Sequence, residues 1–326
     1  MAPQEGIRIG YVPEHYLAPL HLALGSSTAS LPFHVSIKEY PSGTGQMISA
    51  LRSNEIDVAI GLTEGWVAGL VGKEQLKKGE EDGGYKIVGQ WVQTPLRWAI
   101  VTGRNRNDIE SIDDLKGSRV GVSRLGSGSH VMSFVLAQER QWPVSHHLKP
   151  VILGPFASLR NGVTGYDPSN SDGPRNPTAD FFMWEHFTTK PYFHISSSSH
   201  SPPLKKVGEI YTPWPSWMIV ASTSKFQSPE TDARLTHLCE ALDKGIAEFN
   251  ADRPRVVHLL GTGELGCLYG EQDANEWIKD VRFVQHTKGV DQGVIEGVVK
   301  VLKTAGVVPE DISDAEAAKR VIGIPK

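Results

Sequence analysis

The sequence predicts a two-lobed α/β protein whose chain passes between the lobes twice. Three observations carry this reading. At 326 residues the chain exceeds what one ordinary hydrophobic core organises, so two lobes are the default. Short apolar strands alternate with amphipathic helices in two separate blocks, the order that builds parallel sheets. One stretch also has an echo: Ala50-Leu51-Arg52-Ser53-Asn54 stands before Asp57-Val58-Ala59-Ile60, and Ser158-Leu159-Arg160-Asn161-Gly162 before Ala179-Asp180-Phe181-Phe182. In each copy a helix ending in Leu-Arg leads to an aspartate that opens a buried strand, which then runs into an acidic loop. The lobes are expected at residues 1–97 plus 215–326, and at residues 98–214.

Taken in order, residues 7–12 read as a strand that ends in the loop Pro13-Glu14-His15-Tyr16. Residues 17–24 follow as a helix, and residues 33–39 alternate like a second strand. The turn Ser42-Gly43-Thr44-Gly45 opens an amphipathic helix with Met47, Ile48 and Leu51 on one face, closing at Asn54. A buried strand over residues 56–60 then delivers Thr63 and Glu64 into a loop. Residues 73–84 are charged and end in glycine, a solvated helix end and loop, and residues 85–92 form a strand.

The unit changes near Pro95, after which residues 96–102 (LRWAIVT) form a strand. Residues 111–129 read as a capped short helix, a strand and a glycine-serine loop, with a helix over residues 130–141. Residues 166–177 form a Pro/Gly/Asn/Ser loop, and residues 211–217 (YTPWPSW) a crossing before a strand at residues 218–222. Ser228-Pro229-Glu230 reads as the start of a long helix carrying Leu235, Leu238, Leu242, Ile246 and Phe249 on its apolar face. Residues 254–326 are helical, with segments at 273–278, 290–305 and 315–321.

Composition narrows the function classes. Apolar residues make up 39 % and charged residues 21 %, as in an ordinary globular chain. The net charge of −4, with no basic run to track a phosphate backbone, argues against a nucleic-acid partner. No apolar run approaches the ~20 residues that span a bilayer. The opening MAPQEGIRIGYVPE shows neither a basic n-region nor an apolar h-region, so a cytoplasmic location is expected. Cys239 and Cys267 read as two ordinary thiols. The twelve histidines include the adjacent His146 and His147 but no HExxH spacing, and no metal site is read.

The candidate site residues lie on loops. Gly126-Ser127-Gly128-Ser129 before the helix that begins with His130 offers backbone N–H groups and hydroxyls, which would seat a carboxylate, sulfonate or phosphate. The same serines would serve as plain N-caps. Ser42 to Gly45, with Thr44, has the same two readings. Neither loop carries a P-loop lysine or a dinucleotide fingerprint, so no nucleotide cofactor is read. Arg124-Leu125-Gly126-Ser127-Gly128 matches a nucleophile elbow only in part, and no catalytic residue is assigned. Glu64 and Glu185 each follow a strand, and Trp66, Trp98, Trp184 and Trp217 stand near loops or crossings. Carboxylates beside aromatic faces suit a flat, amino-bearing or cationic ligand.

GYVPE, SGTGQMISALRSNEIDVAIGLTEG, SIDDLKGSRVGVSRLGSGSH and ADFFMWE together resemble the type II periplasmic solute-binding fold. The similarity is to the branch that includes sulfonate-, taurine- and thiamine-precursor-binding proteins, and within it to fungal members without signal peptides. The resemblance implies two α/β lobes joined by two crossing strands, with a small-molecule ligand clamped between them. Carried over by position, it implies a ligand-binding set of Glu14, His15, Ser42, Thr44, Gly45, Thr63, Glu64, Ser127, Gly128, Ser129, His130, Trp184 and Glu185. The expected function is non-catalytic binding of a thiamine-pyrimidine-like or sulfonate-like molecule. Fungal thiamine-pyrimidine synthases share this fold but carry a cysteine-rich motif, and nothing like it stands in this sequence. A pyrimidine synthase relative and a ligand-gated sensor of a protein partner are the alternatives.

Overall fold

The computed structural model describes residues 6–25, 31–76, 82–143, 148–166, 176–194 and 201–326. The chain divides into two compact units. Unit 1 comprises Met1–Thr94, Trp214–Lys303 and Val308–Lys326, and unit 2 comprises Pro95–Pro213 and Thr304–Val307.

Unit 1 is built on a five-stranded sheet of β1 (Ile7–Tyr11), β2 (Val35–Glu39), β3 (Val58–Leu62), β4 (Tyr85–Val92) and β10 (Trp217–Ser222). Their order is β2-β1-β3-β10-β4. β1 pairs parallel with β2 and β3, whereas β10 returns antiparallel between β3 and β4. The inner strands are largely apolar and almost wholly buried, as strands covered on both faces must be. β2 is the sheet edge, and four of its five residues are exposed. The alternation read over residues 33–39 holds for Phe33 and Val35 against the exposed His34 and Ser36, and fades over the exposed residues 37–39.

Unit 2 repeats the plan with β6 (Arg119–Val122), β7 (Lys149–Ile152), β8 (Phe181–Glu185), β5 (Arg97–Gly103) and β9 (Leu204–Tyr211), in the order β7-β6-β8-β5-β9. Here β6 is parallel to β7 and β8, and β5 is antiparallel to β8 and β9. The echo in the sequence thus reflects two sheets of identical topology, but its register is one helical turn off. The N–H groups of Glu55 and Ile56 reach the carbonyl of Ala50, and those of Thr178 and Ala179 reach that of Gly162. Ala50 is therefore matched with Gly162, and Arg160 is matched with Ile48 rather than with Arg52.

Helices α1 (Ala18–Gly25), α2 (Thr44–Arg52) and α3 (Thr63–Val71) flank the first three strands, and α4 (Lys73–Leu76) is a short addition. α2 opens at Gly43, whose φ of +81° excludes most side chains, and buries Met47, Ile48 and Leu51 as its spacing predicts. In unit 2, α5 (Gly128–Glu139), α6 (Phe156–Thr164) and α7 (His186–Thr189) follow β6, β7 and β8. The rest of unit 1 adds α8 (Ala233–Ala251), α9 (Arg253–Thr262), α10 (Glu271–Asp280), α11 (Gln292–Thr304) and α12 (Asp314–Val321). α8 crosses α1 so closely that a Cβ on Gly245 would stand 2.3 Å from the Pro19 carbonyl oxygen.

Several expectations need correction. Thr63 and Glu64 do not lie in a loop but begin α3, whose glycines Gly65 and Gly69 mask a helical pattern. Glu185 is followed at once by α7, which it caps. The long helix α8 starts after Asp232, whose carboxylate accepts from Arg234 N–H at 2.9 Å, while Ser228 to Thr231 form a turn closed at 3.2 Å. The helix-initiating proline belongs instead to α9, which the sequence reading did not separate. The loop read over residues 166–177 lies largely outside the described residues, as do His146, His147 and residues 77–81 of the charged segment.

The crossings near Pro95 and Pro213 are tied where they leave each unit. In unit 1 the Thr94 carbonyl accepts from Ser216 Oγ at 2.7 Å. In unit 2 Leu96 N–H donates to Thr212 Oγ1 at 2.9 Å, and Thr212 N–H returns a bond to Leu96 O at 3.1 Å. Among the described residues, no helix is long and apolar enough to cross a membrane.

Candidate functional site

Each sheet places its middle strand between a parallel and an antiparallel neighbour, and the chain leaves its first strand to one side (β1 to β2, β6 to β7) and returns to the other side (β3, β8). That is a topological switch point, where ligands of open α/β sheets bind beyond the carboxyl ends of the strands. In unit 1 the segments at that edge carry Glu14 and His15 after β1, Thr44 at the start of α2, and Thr63 and Glu64 after β3. In unit 2 they carry Ser127 to His130 after β6 and Glu185 at the end of β8. Within each unit, the sequence-predicted residues gather at one edge.

In unit 1, Thr44 is buried and its Oγ1 accepts from Leu62 N–H at 3.0 Å, fastening the start of α2 to the end of β3. Thr63 Oγ1 donates to Pro215 O at 2.6 Å. Glu64 is 0 % exposed and its Oε2 accepts from the Trp214 indole at 3.1 Å. Ser42 is exposed and gives its N–H to Gln46 Oε1 at 3.2 Å, with Gly45 half-buried beside it. Glu14 is half-buried at the cap of a short 3-10 turn. His15 is placed otherwise than its loop suggested: it is buried among the rings of Tyr16, Tyr269 and Trp277 at 4.4, 4.4 and 4.6 Å. Burial holds its imidazole well below the ordinary histidine range, so it is neutral at pH 7.

In unit 2 the serine hydroxyls hold the loop itself. Ser127 Oγ donates to Arg124 O at 2.7 Å, lies 3.0 Å from Ser129 Oγ and caps α5 by accepting from His130 N–H. Ser129 Oγ accepts from Ser123 N–H at 3.2 Å, and His130 Nδ1 accepts from Gly126 N–H at 3.1 Å. Burial lowers the His130 pKa, which keeps its Nδ1 an acceptor. The capping reading of this loop is realised, and Gly128 is the first residue of α5.

Glu185 is buried and accepts from Thr188 N–H at 2.6 Å. Desolvation outweighs these bonds and pushes its carboxyl up to about 7. Trp184, its neighbour on β8, lies on the other face of the sheet and is half-buried against Phe156, ring centroids 5.3 Å apart. The strand therefore separates these two rather than bringing them together.

The sequence reading gave no role to Trp214, although the Pro/Trp crossing held the signal. It noted Trp98 and Trp217 only as nearby aromatics, yet the two are matched: Trp98 pairs with Glu185 across β5 and β8, and Trp217 with Leu62 across β10 and β3. Among the described residues, no group of three or more His, Cys, Asp or Glu side chains could hold a metal ion.

Residues 98–210 match the model of a family described as Ca3427-like PBP. The structure of the Candida albicans CA3427 gene product is similar over 98 % of this chain and 96 % of that chain, at 31 % identity and a TM-score of 0.81. That protein is described as defining a family with the generic periplasmic binding protein fold. The alkanesulfonate-binding protein SsuA from Xanthomonas axonopodis pv. citri, bound to MOPS, matches at 14 % identity, 97 % and 99 % coverage and a TM-score of 0.67. The aliphatic sulphonate binding protein SsuA from Escherichia coli matches at 16 % identity, 99 % and 93 % coverage and a TM-score of 0.67. Comparison with curated proteins finds no match.

Proposed function

This chain belongs to the Ca3427-like family, which has the periplasmic binding protein fold, and from that premise we propose that it is a non-catalytic small-molecule binding protein whose lobes close on their ligand. The observation that carries the proposal is the duplicated edge. Two sheets of one topology each end their switch point in a buried carboxyl group, Glu64 in one and Glu185 in the other. A buried carboxyl costs folding energy, and ligand recognition offsets that cost by supplying a donor.

The ligand in this reading is a small polar or heteroaromatic molecule, sulfonate-like or thiamine-pyrimidine-like. The backbone N–H groups of Gly128 and Ser129, and those of Thr44 and Gly45 at the start of α2, fix an anionic group. Glu64 or Glu185 accepts a hydrogen bond from the ligand, and Trp184, on the opposite face of β8 from Glu185, stacks on it past the end of that strand. Similarity to a protein that holds MOPS supports the sulfonate alternative. The short crossings at Pro95 and at Pro213 are suited to absorbing a hinge rotation.

The test combines native mass spectrometry of the purified protein with a panel of taurine, alkanesulfonates, MOPS and a hydroxymethylpyrimidine. A ligand at one hundred times its Kd stabilises the fold by about 2.7 kcal/mol, read as a rise in Tm, and closure shrinks the scattering radius. No adduct, no rise in Tm and no contraction with any of these would overturn the reading. Undiminished binding in the Glu64→Ala, Trp184→Ala double variant would overturn the site assignment.

A further inference from the structure

We propose that Arg160 and the rings of Phe156, Trp184 and Tyr192 form a subsite in unit 2 for a planar anion, an aromatic carboxylate or sulfonate. The inference rests on the binding reading above and sharpens it to a ligand class. Arg160 lies on α6 with its guanidinium carbon 3.9 Å from the Tyr192 ring centroid and 5.1 Å from that of Phe156. Phe156 in turn touches Trp184 at 5.3 Å and Tyr192 at 5.5 Å. All four side chains are half-buried, so the cluster is partly open to solvent.

The rings satisfy the face of the guanidinium but not its edge, where the N–H donors lie. Arg160 Nε is buried with no acceptor. Other arginines of unit 2 are spent differently. Arg97 pairs with Glu209 at 2.9 Å, Arg106 with Asp108 at 2.7 Å and Arg119 with Asp180 at 2.8 Å, while Arg104 donates to backbone carbonyls. Among the described residues, Arg160 has neither a carboxylate nor a carbonyl partner. Its counterpart in unit 1 is Ile48, 7 % exposed, so the architecture at this point is satisfied by an apolar side chain. Placing a cation there, stacked and without a counter-charge, is explained by a ligand that brings one. A planar fork fits a carboxylate or sulfonate, and the surrounding rings fit a flat body attached to it.

Calorimetric titration with benzenesulfonate and benzoate tests this, with methanesulfonate as the non-planar anion and benzamide as the planar neutral. The planar anions are expected to bind the wild type more tightly than either control. Arg160→Met, which keeps the stem over the rings, is expected to lose about tenfold or more in affinity, and Arg160→Lys to recover part of it. Melting curves for both variants establish that they are folded. No binding of either planar anion, or binding to Arg160→Met within about twofold of wild type, overturns the subsite. If taurine or the pyrimidine contracts the protein while the planar anions fail, the subsite alone falls. If the planar anions bind through Arg160 without contraction, lobe closure alone falls.

Discussion

Asp57 and Asp180 occupy the same point of two separate sheets and make the same bonds. Asp57 accepts the Arg8 backbone N–H at 2.9 Å and that residue's Nε and Nη2 at 3.0 and 2.7 Å. Asp180 accepts the corresponding three donors of Arg119 at 2.8, 3.1 and 2.8 Å. In each unit the aspartate returns its own N–H to the arginine carbonyl at 2.8 Å. One residue thereby locks the register of two parallel strands and neutralises the charge at their amino ends.

Replacing Asp180 by Asn is expected to destabilise the protein by about 2 kcal/mol, because it removes the negative charge that Arg106 and Arg119 share and one of the two oxygens that accept from them. Burial alone would raise the Asp180 pKa, but the arginine bonds outweigh it and hold it below the ordinary range. A depressed carboxyl contributes stability that is present above the unfolded pKa and lost as pH falls through the folded value. Urea midpoints measured from pH 6 down to pH 2 should show a shallower acid limb in Asp180→Asn than in wild type.

Glu185 works in the opposite sense. Its folded carboxyl titrates near 7 while the unfolded one stays in the ordinary range, so the folded state holds the extra proton between those values. Stability falls as pH rises through that window and then levels off, a loss on the order of 3 kcal/mol at most. Glu185→Gln is expected to match wild type near pH 4, to exceed it at pH 8 and to show a flatter Tm profile. Equal Tm profiles for the two proteins from pH 4 to pH 8 would contradict a buried, proton-holding Glu185.

Gly245→Ala gains about 1 kcal/mol of helix propensity in α8. That gain is overrun by the clash with the Pro19 carbonyl and with Ala23, where a Cβ would stand at 2.3 and 2.6 Å. A net loss of about 2 kcal/mol is expected, read as a lower urea midpoint with unchanged slope.

Both thiols are expected to be inert to a disulfide reagent at pH 8. Burial pushes Cys239 up to about 11, and burial with the nearby charge of Glu14 pushes Cys267 up to about 12. The thiolate is the nucleophile, so labelling should follow unfolding in denaturant. Rapid labelling of the native protein would contradict this.

The periodic elements were legible in the sequence because burial imposes period and composition together. Met47, Ile48 and Leu51 on α2 and the apolar runs of β3 and β5 are of this kind. What misled were local signatures overruled by context. Ser228-Pro229-Glu230 has the composition of a helix start, yet Asp232 makes the cap. Thr63 and Glu64 looked like loop residues because two glycines follow, yet tertiary packing makes them helical. The edge gathering of the site residues could be read from the order of strands and loops. The aromatic enclosure of His15 could not, because Tyr269 and Trp277 lie more than two hundred and fifty residues away in the chain.

The position of β10 orders events in time. It sits between β3 and β4 but is made after the whole of Pro95–Pro213. As the chain leaves the ribosome, unit 2 has every strand of its sheet before unit 1 has its own. Until Trp217–Ser222 arrive, β3 and β4 each present an open row of N–H and C=O groups, a template for pairing with another nascent chain. Contacts made later still bind the same sheet: Gly323 and Ile324 bond to Ile87, and Lys326 to Val290. Unit 1 is thus a sheet whose centre and margin are both supplied late, and its assembly, not that of unit 2, sets the interval in which a newly made chain needs protection from its neighbours.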